Sequence, residues 1–172
     1  MIILGIDPGP TTCGVVVYDT VARRVLAAAS TLDVRTALEW AADRTPYDHT
    51  HDVVCIEQVM STGQAGNDLL RTAEVCGRLY QRATDDSTAS VVLIPRRAVC
   101  SMLGITGKGK DAQVRDVLIE MHGGSKRAAV GTKLAPGPLY GVSGHAWQAL
   151  GVVKAWTIAQ ALDAARSNWG AA

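Results

Sequence analysis

The apolar positions begin with an unbroken run, Ile2-Ile3-Leu4-Gly5-Ile6, that ends in Asp7-Pro8-Gly9. A continuous run rich in β-branched residues predicts a strand buried on both faces, here within Met1 to Gly9, with Asp7 at its rim against a turn made by Pro8 and Gly9. A second strand is predicted from Thr12 to Asp19. Asp19-Thr20 reads as a hairpin turn, and a third strand near Arg23 to Ala29 completes an antiparallel meander. From Val34 to Arg44, apolar residues at Val34, Ala37, Leu38, Ala41 and Ala42 take helical spacing behind Asp33, a suitable N-cap. Tyr47 to Asp52 is a polar loop, in which His49 and His51 read as solvated side chains rather than a metal pair. Val53-Val54-Cys55-Ile56 then repeats the opening pattern, an apolar strand delivering one acid, Glu57.

A small, polar stretch from Gln58 to Asn67 leads into a helix predicted from about Asp68 to Ala83. Its apolar stripe, Leu69, Leu70, Ala73, Cys76, Gly77 and Tyr80, reads as core, with Ala73 and Gly77 small enough for close helix approach. Val91 to Ile94 is a further strand, stopped by Pro95. Gly104 to Lys110 is a flexible basic loop, and Asp111 to Met121 resumes helical spacing at Val114, Val117, Leu118 and Met121. Gly123 to Gly144, rich in Gly, Pro and basic residues, is a candidate mobile loop. A last helix runs from about Ser143 to Ala165, with Trp147, Leu150, Val153 and Trp156 inward. Three meander strands followed by strands joined through crossover helices predict an α/β fold. Its mixed five-stranded sheet, antiparallel then parallel, carries helices on both faces, and the acids meet at the carboxyl end of the strands.

At 172 residues the chain suits one domain spanning 1–172. An apolar content of 48% with 19% charged residues excludes disorder and a fibrous assembly. No apolar stretch approaches the ~20 residues a bilayer span needs, and Asp7 interrupts the N-terminal run before it could act as a signal peptide, so no membrane association and a cytoplasmic location are expected. Cys13, Cys55, Cys76 and Cys100 are far apart, with no Cys-x-x-Cys spacing, and read as reduced, mostly buried thiols. A net charge of +1 gives no global footprint for nucleic acid. The distribution is uneven, however: between Arg96 and Lys133, eight basic residues stand against Asp111, Asp116 and Glu120.

Two central strands that each end in a lone carboxylate are what a metal site built across a sheet requires, because hard dications want oxygen ligands held on rigid elements. The last helix carries His145 and Gln148 at i and i+3, on one face. Asp7, Glu57 and His145 then make a mixed oxygen and nitrogen set suited to divalent metal at an open site. On the residues alone His145 reads more readily as a capping or packing histidine.

On these residues the chain resembles the RuvC family of Holliday-junction resolvases, of RNase H-like fold, over essentially its full length. Leu4-Gly5-Ile6-Asp7-Pro8-Gly9 is similar to the family's opening motif and Ile56-Glu57-Gln58-Val59 to its second. Ile94-Pro95, Gly107-Lys108-Gly109 and Gln113-Val114 are similar to the basic segment between. His145-Ala146-Trp147-Gln148-Ala149-Leu150 falls on the closing helix motif in degraded form. The resemblance implies a homodimeric endonuclease of DNA recombination and repair that nicks two opposed strands of a four-way DNA junction, with two Mg2+ ions per site for which Mn2+ substitutes.

Asp7 and Glu57 match the first two catalytic carboxylates, and His145 a position where the family carries Asp or His. Gln148 stands where the family usually has its final Asp; an amide offers a carbonyl oxygen but no charge. Met60 occupies the place of an aromatic that stacks on an unpaired base, and a methionine there can wedge apolarly. Either Lys108 or Lys110 matches the family's functional lysine, and with Arg96 and Arg97 they would contact phosphates, setting position rather than sequence. Two dications would activate a water and stabilise the leaving oxygen, with Asp7 bridging them from the most central strand. The altered closing motif points to a phage-type member, and no branch-migration motor is indicated as a partner. Two further readings stay open: a catalytically weakened junction-binding protein of the same fold, and a nuclease for branched DNA generally or for structured RNA. A kinase- or chaperone-type ATPase fragment, suggested by the glycine and aspartate of the first turn, is disfavoured because the chain is short and lacks a second glycine-rich phosphate motif.

Overall fold

Five strands, β1 (Ile2–Asp7), β2 (Thr12–Asp19), β3 (Arg24–Asp33), β4 (Val53–Gln58) and β5 (Ser90–Pro95), form one sheet in the order β3-β2-β1-β4-β5. The first three pair antiparallel, and β1–β4 and β4–β5 pair parallel. The structure, a computed structural model, describes residues 1–47, 50–61, 63, 66–107 and 109–167 and the backbone of 168 and 169. The helices are α1 (Val34–Ala41), α2 (Asn67–Asp86), α3 (Arg96–Met102), α4 (Asp111–Glu120), α5 (Lys126–Ala129) and α6 (Ala146–Trp169).

The alternation of side chains along each strand divides the interior in two. Ile3, Val16, Tyr18, Val53 and Cys55 face one core, with α3, α4 and α6. Leu4, Ile6, Val15, Val17, Val54 and Ile56 face the other, under α1 and α2. β1 lies in the middle and is buried on both sides, which is why its sequence shows no polar alternation.

Asp33 caps α1 as expected, accepting from the Thr36 amide at 3.0 Å. α1 ends at Ala41, because Asp43 takes a positive φ of 59° and turns the chain out of the helix. The sequence pattern did not mark α3, seven residues that follow directly on Pro95. On α2 the expected core stripe divides. Val75, Cys76, Leu79 and Ala83 are buried, whereas Leu70, Ala73, Gly77 and Tyr80 lie exposed on a second apolar face. The segment 123–144 is not the loose loop its composition suggests. It contains α5, buries Ala129, Leu139 and Val142, and is tied to β3 where the Val25 amide donates to the Pro138 carbonyl at 2.8 Å.

His51 is not solvated either: its ring is buried and its Nδ1 lies 2.8 Å from Asp43 Oδ1. His49 lies outside the described residues. The four cysteines are free thiols, three buried and Cys100 partly so. Among the described residues no helix is long and apolar enough to cross a membrane.

Candidate active site

Strand parity brings the two acids together. Asp7 follows Ile3 and Gly5 on the α6 side of β1, and Glu57 follows Val53 and Cys55 on the same side of β4. β1 and β4 are parallel with Ile6 beside Ile56, so both carboxylates emerge at the same end, one residue further on. Their side chains are nearly buried, 17% and 14% exposed.

Two glycines let α6 come down onto this end of the sheet. A Cβ on Gly5 would meet the Ala149 carbonyl and Val153 at 2.5 Å, and one on Gly14 would overlap the backbone of His145. The Ser30 hydroxyl on β3 accepts from the His145 amide at 3.2 Å, which fixes the start of the helix. His145 Nδ1 then lies 3.3 Å from Asp7 Oδ2 with the ring largely in solvent. Gln148, in the first turn of α6, is buried with 5% exposure.

The side chain at the centre of the site is Arg96, the first residue of α3. One amino group of its guanidinium donates to Gln148 Oε1 at 2.5 Å and lies 3.4 Å from Glu57 Oε2. The other donates to the Gly109 carbonyl at 3.0 Å and to Asp111 Oδ1 at 2.7 Å. Asp7, Glu57, Arg96, Asp111, His145 and Gln148 share the walls of an open cleft of about 270 Å³. A second cleft, of about 340 Å³, continues past Asp111 and Gln148 to Arg115 and Trp147.

Burial pushes the Asp7 carboxyl up to about 6, against the pull of His145 and Arg96. Burial also pushes Glu57 up to about 7, and the neighbouring Asp7 charge adds to the shift while Arg96 opposes it. At both acids, then, the effect of burial outweighs the pull of the groups beside them.

Of the residues singled out in the sequence, Asp7, Glu57, His145 and Gln148 converge. Arg96, expected to touch phosphate, is engaged inside the carboxylate pocket. Arg97 is exposed on α3, and Met60 is exposed just beyond the end of β4. Lys110 is exposed at the N-cap of α4, where its amide donates to Gln113 Oε1 at 2.8 Å. Lys108 lies outside the described residues.

Sequence reasoning missed Asp111, which it took for a helix start and a counter-charge in a basic segment. An acid directly behind the glycine-rich basic loop was the available signal. Among the described residues no three His, Cys, Asp or Glu side chains stand as a ready-made cage for one ion.

No protein-family model matches the chain, and no curated protein sequence matches it. Solved structures do. Thermus thermophilus RuvC aligns at a TM-score of 0.65 and 18% identity, over 95% of this chain and 97% of its own. T. thermophilus RuvC in complex with Holliday junction substrate aligns at 0.62 and 17% identity, over 94% and 96%. The likeness runs the length of both chains, and what it establishes is the fold: the chain has a RuvC-like, RNase H-like architecture, a five-stranded mixed sheet clad by helices on both faces.

Proposed function

We propose that the protein is a cytoplasmic, structure-selective endonuclease that resolves four-way DNA junctions by paired, metal-dependent nicks. The observation that carries this reading is the pair of nearly buried carboxylates, Asp7 and Glu57, set on one face of the sheet beneath the start of α6. The RuvC-like fold, which one solved neighbour displays on a Holliday junction substrate, supports the choice of DNA structure.

The donors fit a divalent ion of the magnesium kind. Magnesium is commonly held by one or two carboxylates, with waters and substrate phosphates completing its shell. Asp7 and Glu57 are such a pair, and His145 and the Gln148 carbonyl lie beside them. When bound, the ion polarises the scissile phosphate and activates the attacking water. The reaction adds water across one phosphodiester P–O bond, giving a phosphate monoester and a hydroxyl.

His145 Nδ1 holds Asp7 in orientation and favours its charged form, and Arg96 does the same for Glu57. The exposed Lys110 and Arg97, with Lys108, contact phosphates, and Met60 faces the junction centre as an apolar wedge. Two opposed nicks require two sites, and the exposed Leu70, Ala73, Gly77 and Tyr80 face of α2 is the surface on which a second copy packs.

A weakened junction-binding protein is the second reading, favoured by one observation: Gln148 brings no charge and its carbonyl is already taken by Arg96. Nicking assays on four-way, forked and linear DNA, with and without Mg2+, test both, with light scattering for the dimer. Paired nicks confined to four-way DNA and dependent on Mg2+ are expected. Tight junction binding without nicking at any Mg2+ concentration leaves the second reading standing, and cleavage of linear DNA at an equal rate removes the first.

A further inference from the structure

Arg96 reaches four oxygen acceptors from four separate parts of the chain: Glu57 on β4, the Gly109 carbonyl, Asp111 on α4 and Gln148 on α6. Two carboxylates, an amide oxygen and a peptide oxygen are the donor set a hard cation takes. Here the cation at their centre is a guanidinium, its side chain only 28% exposed. An arginine stays charged at any working pH, and its planar fork suits acceptors spread around it.

We propose that Arg96 is a resident cation of this site, filling with its guanidinium the place of one divalent ion, so that each site takes a single ion, at Asp7 and Glu57, rather than two. The inference rests on the metal-dependent reading of the site given above.

Charge and ligand supply both favour one ion. Once an ion draws off their protons, Asp7, Glu57 and Asp111 bring three negative charges to the cleft they line. Arg96 leaves two, which one divalent ion neutralises. A second ion on the far side of Glu57 would face the fixed guanidinium at close range and find its donors there, Asp111, Gln148 and the Gly109 carbonyl, already bonded to Arg96. Gln148 and Arg96 then explain each other: where an arginine supplies the second positive charge, the closing helix needs a carbonyl to hold it and no acid to hold a metal. The arginine also needs no free ion to be captured before it acts on charge developing at the phosphate. A merely structural role for Arg96, pinning the 104–110 loop to the sheet, predicts instead an ion count that does not depend on it.

The test counts ions directly. Crystals of the protein with a four-way junction made uncleavable at the nick sites are soaked in Mn2+, and anomalous scattering locates the ions near Asp7 in wild type, Gln148→Asp, and Arg96→Gln with Gln148→Asp. Expected are one ion in wild type, one in Gln148→Asp, where Arg96 still occupies its place, and two in the double variant. Two ions in wild type overturn the inference while leaving a metal nuclease. A single ion in the double variant, shown to be folded by its circular dichroism and melting, also overturns it. No ion at Asp7 and Glu57 in any of the three, with no nicking by wild type, overturns the metal-dependent reading itself. The wild-type count decides between one ion and two even if the double variant fails to fold.

Discussion

Along α6, Gln148 and Lys154 lie roughly 9 Å apart at 1.5 Å per residue, and they sit over opposite ends of the central strand β1 and its neighbours. At the Gln148 end, Asp7 and Glu57 are nearly buried, and burial pushes their carboxyls up further than the neighbouring Arg96 pulls them down. At the other end, where Tyr18 pairs with Ile3, the buried charge is a cation. Lys154 is 8% exposed, its ammonium donates to the Tyr18 hydroxyl at 2.5 Å, and it lies 4.0 Å from the centre of the Tyr18 ring. Tyr18 in turn lies 3.4 Å from His122 Nε2, and His122 Nδ1 donates to the Leu118 carbonyl at 2.8 Å. That chain gives every polar group a neutral partner inside the protein. The acid end has no such closure and opens onto a cleft. Both ends bury titratable groups, and the difference is that one is closed by partners inside the protein while the other is open to whatever enters the cleft.

The sharpest way to break this comparison is to neutralise each end and ask which loss is functional. Asp7→Asn and Glu57→Gln keep shape and remove ligand charge, so each is expected to lower nicking by at least ~10³-fold. Junction binding should stay within a few-fold. In metal-free protein at alkaline pH each variant is also expected to melt above wild type, because a poorly balanced carboxylate has been removed. Nicking and gel-shift assays with thermal melts on the same preparations measure all three. A variant that melts well below wild type while still nicking would place that acid in the structural class with Lys154.

The lysine end should answer in the opposite way. Tyr18→Phe removes the acceptor of a buried ammonium and is expected to destabilise by about 1–3 kcal/mol, with nicking per folded molecule unchanged. Lys154→Met replaces the buried cation by an apolar chain of similar length and should lie within about 1 kcal/mol of wild type. Denaturant melts of the two single variants and the double give the coupling. If Tyr18→Phe impaired nicking in a fully folded protein, the two ends would not be separate.

Much of the acid end was legible because strand parity is a property of sequence. Asp7 stands at an even spacing from Ile3 and Gly5, and Glu57 at an even spacing from Val53 and Cys55, so once the register set Ile3 beside Val53 both acids fell on one face. His145 and Gln148 were legible as a pair at i and i+3. Arg96 and Asp111 were not, because their meeting depends on how 96–111 folds back over the end of the sheet. That stretch begins with a seven-residue helix carrying no amphipathic signature and passes through a glycine-rich loop. The lysine end was invisible for the same kind of reason. Lys154 falls within the apolar run of α6, and only the tertiary fold sets Tyr18 against it. On α2 two apolar stripes share one helix, and periodicity alone does not say which one is inward.

A pH titration of stability puts both ends into one curve with opposite signs, and it is the finest test because each group contributes at most a few kcal/mol, spread over several pH units. At the acid end, Asp7 near 6 and Glu57 near 7 lie above the ~4 of an unfolded carboxyl. The folded chain therefore holds protons that the unfolded chain has lost. Their stabilising contribution is complete below about pH 4 and is lost as pH rises through 6 to 7. At the other end, burial and the nearby Arg23 bring Lys154 down to about 8 from 10.5. Tyr18, raised by burial, and His122, lowered by burial, keep their neutral forms through that window. Between 8 and 10.5 the folded chain has released a proton the unfolded chain still holds, so the lysine's contribution rises with pH. The thiols of Cys13, Cys55 and Cys76, raised by burial, act the other way once unfolded thiols ionise above about pH 8.5, so the lysine's share is read as the difference between wild type and Lys154→Met. In metal-free protein Asp7→Asn with Glu57→Gln should remove the acid limb, and wild type should gain on Lys154→Met as pH rises from about 8 to 10. Added Mg2+ should raise wild-type stability near pH 7 and leave the variant lacking both acids unmoved. A wild-type advantage that stays constant across that rise would mean that the buried ammonium does not titrate there.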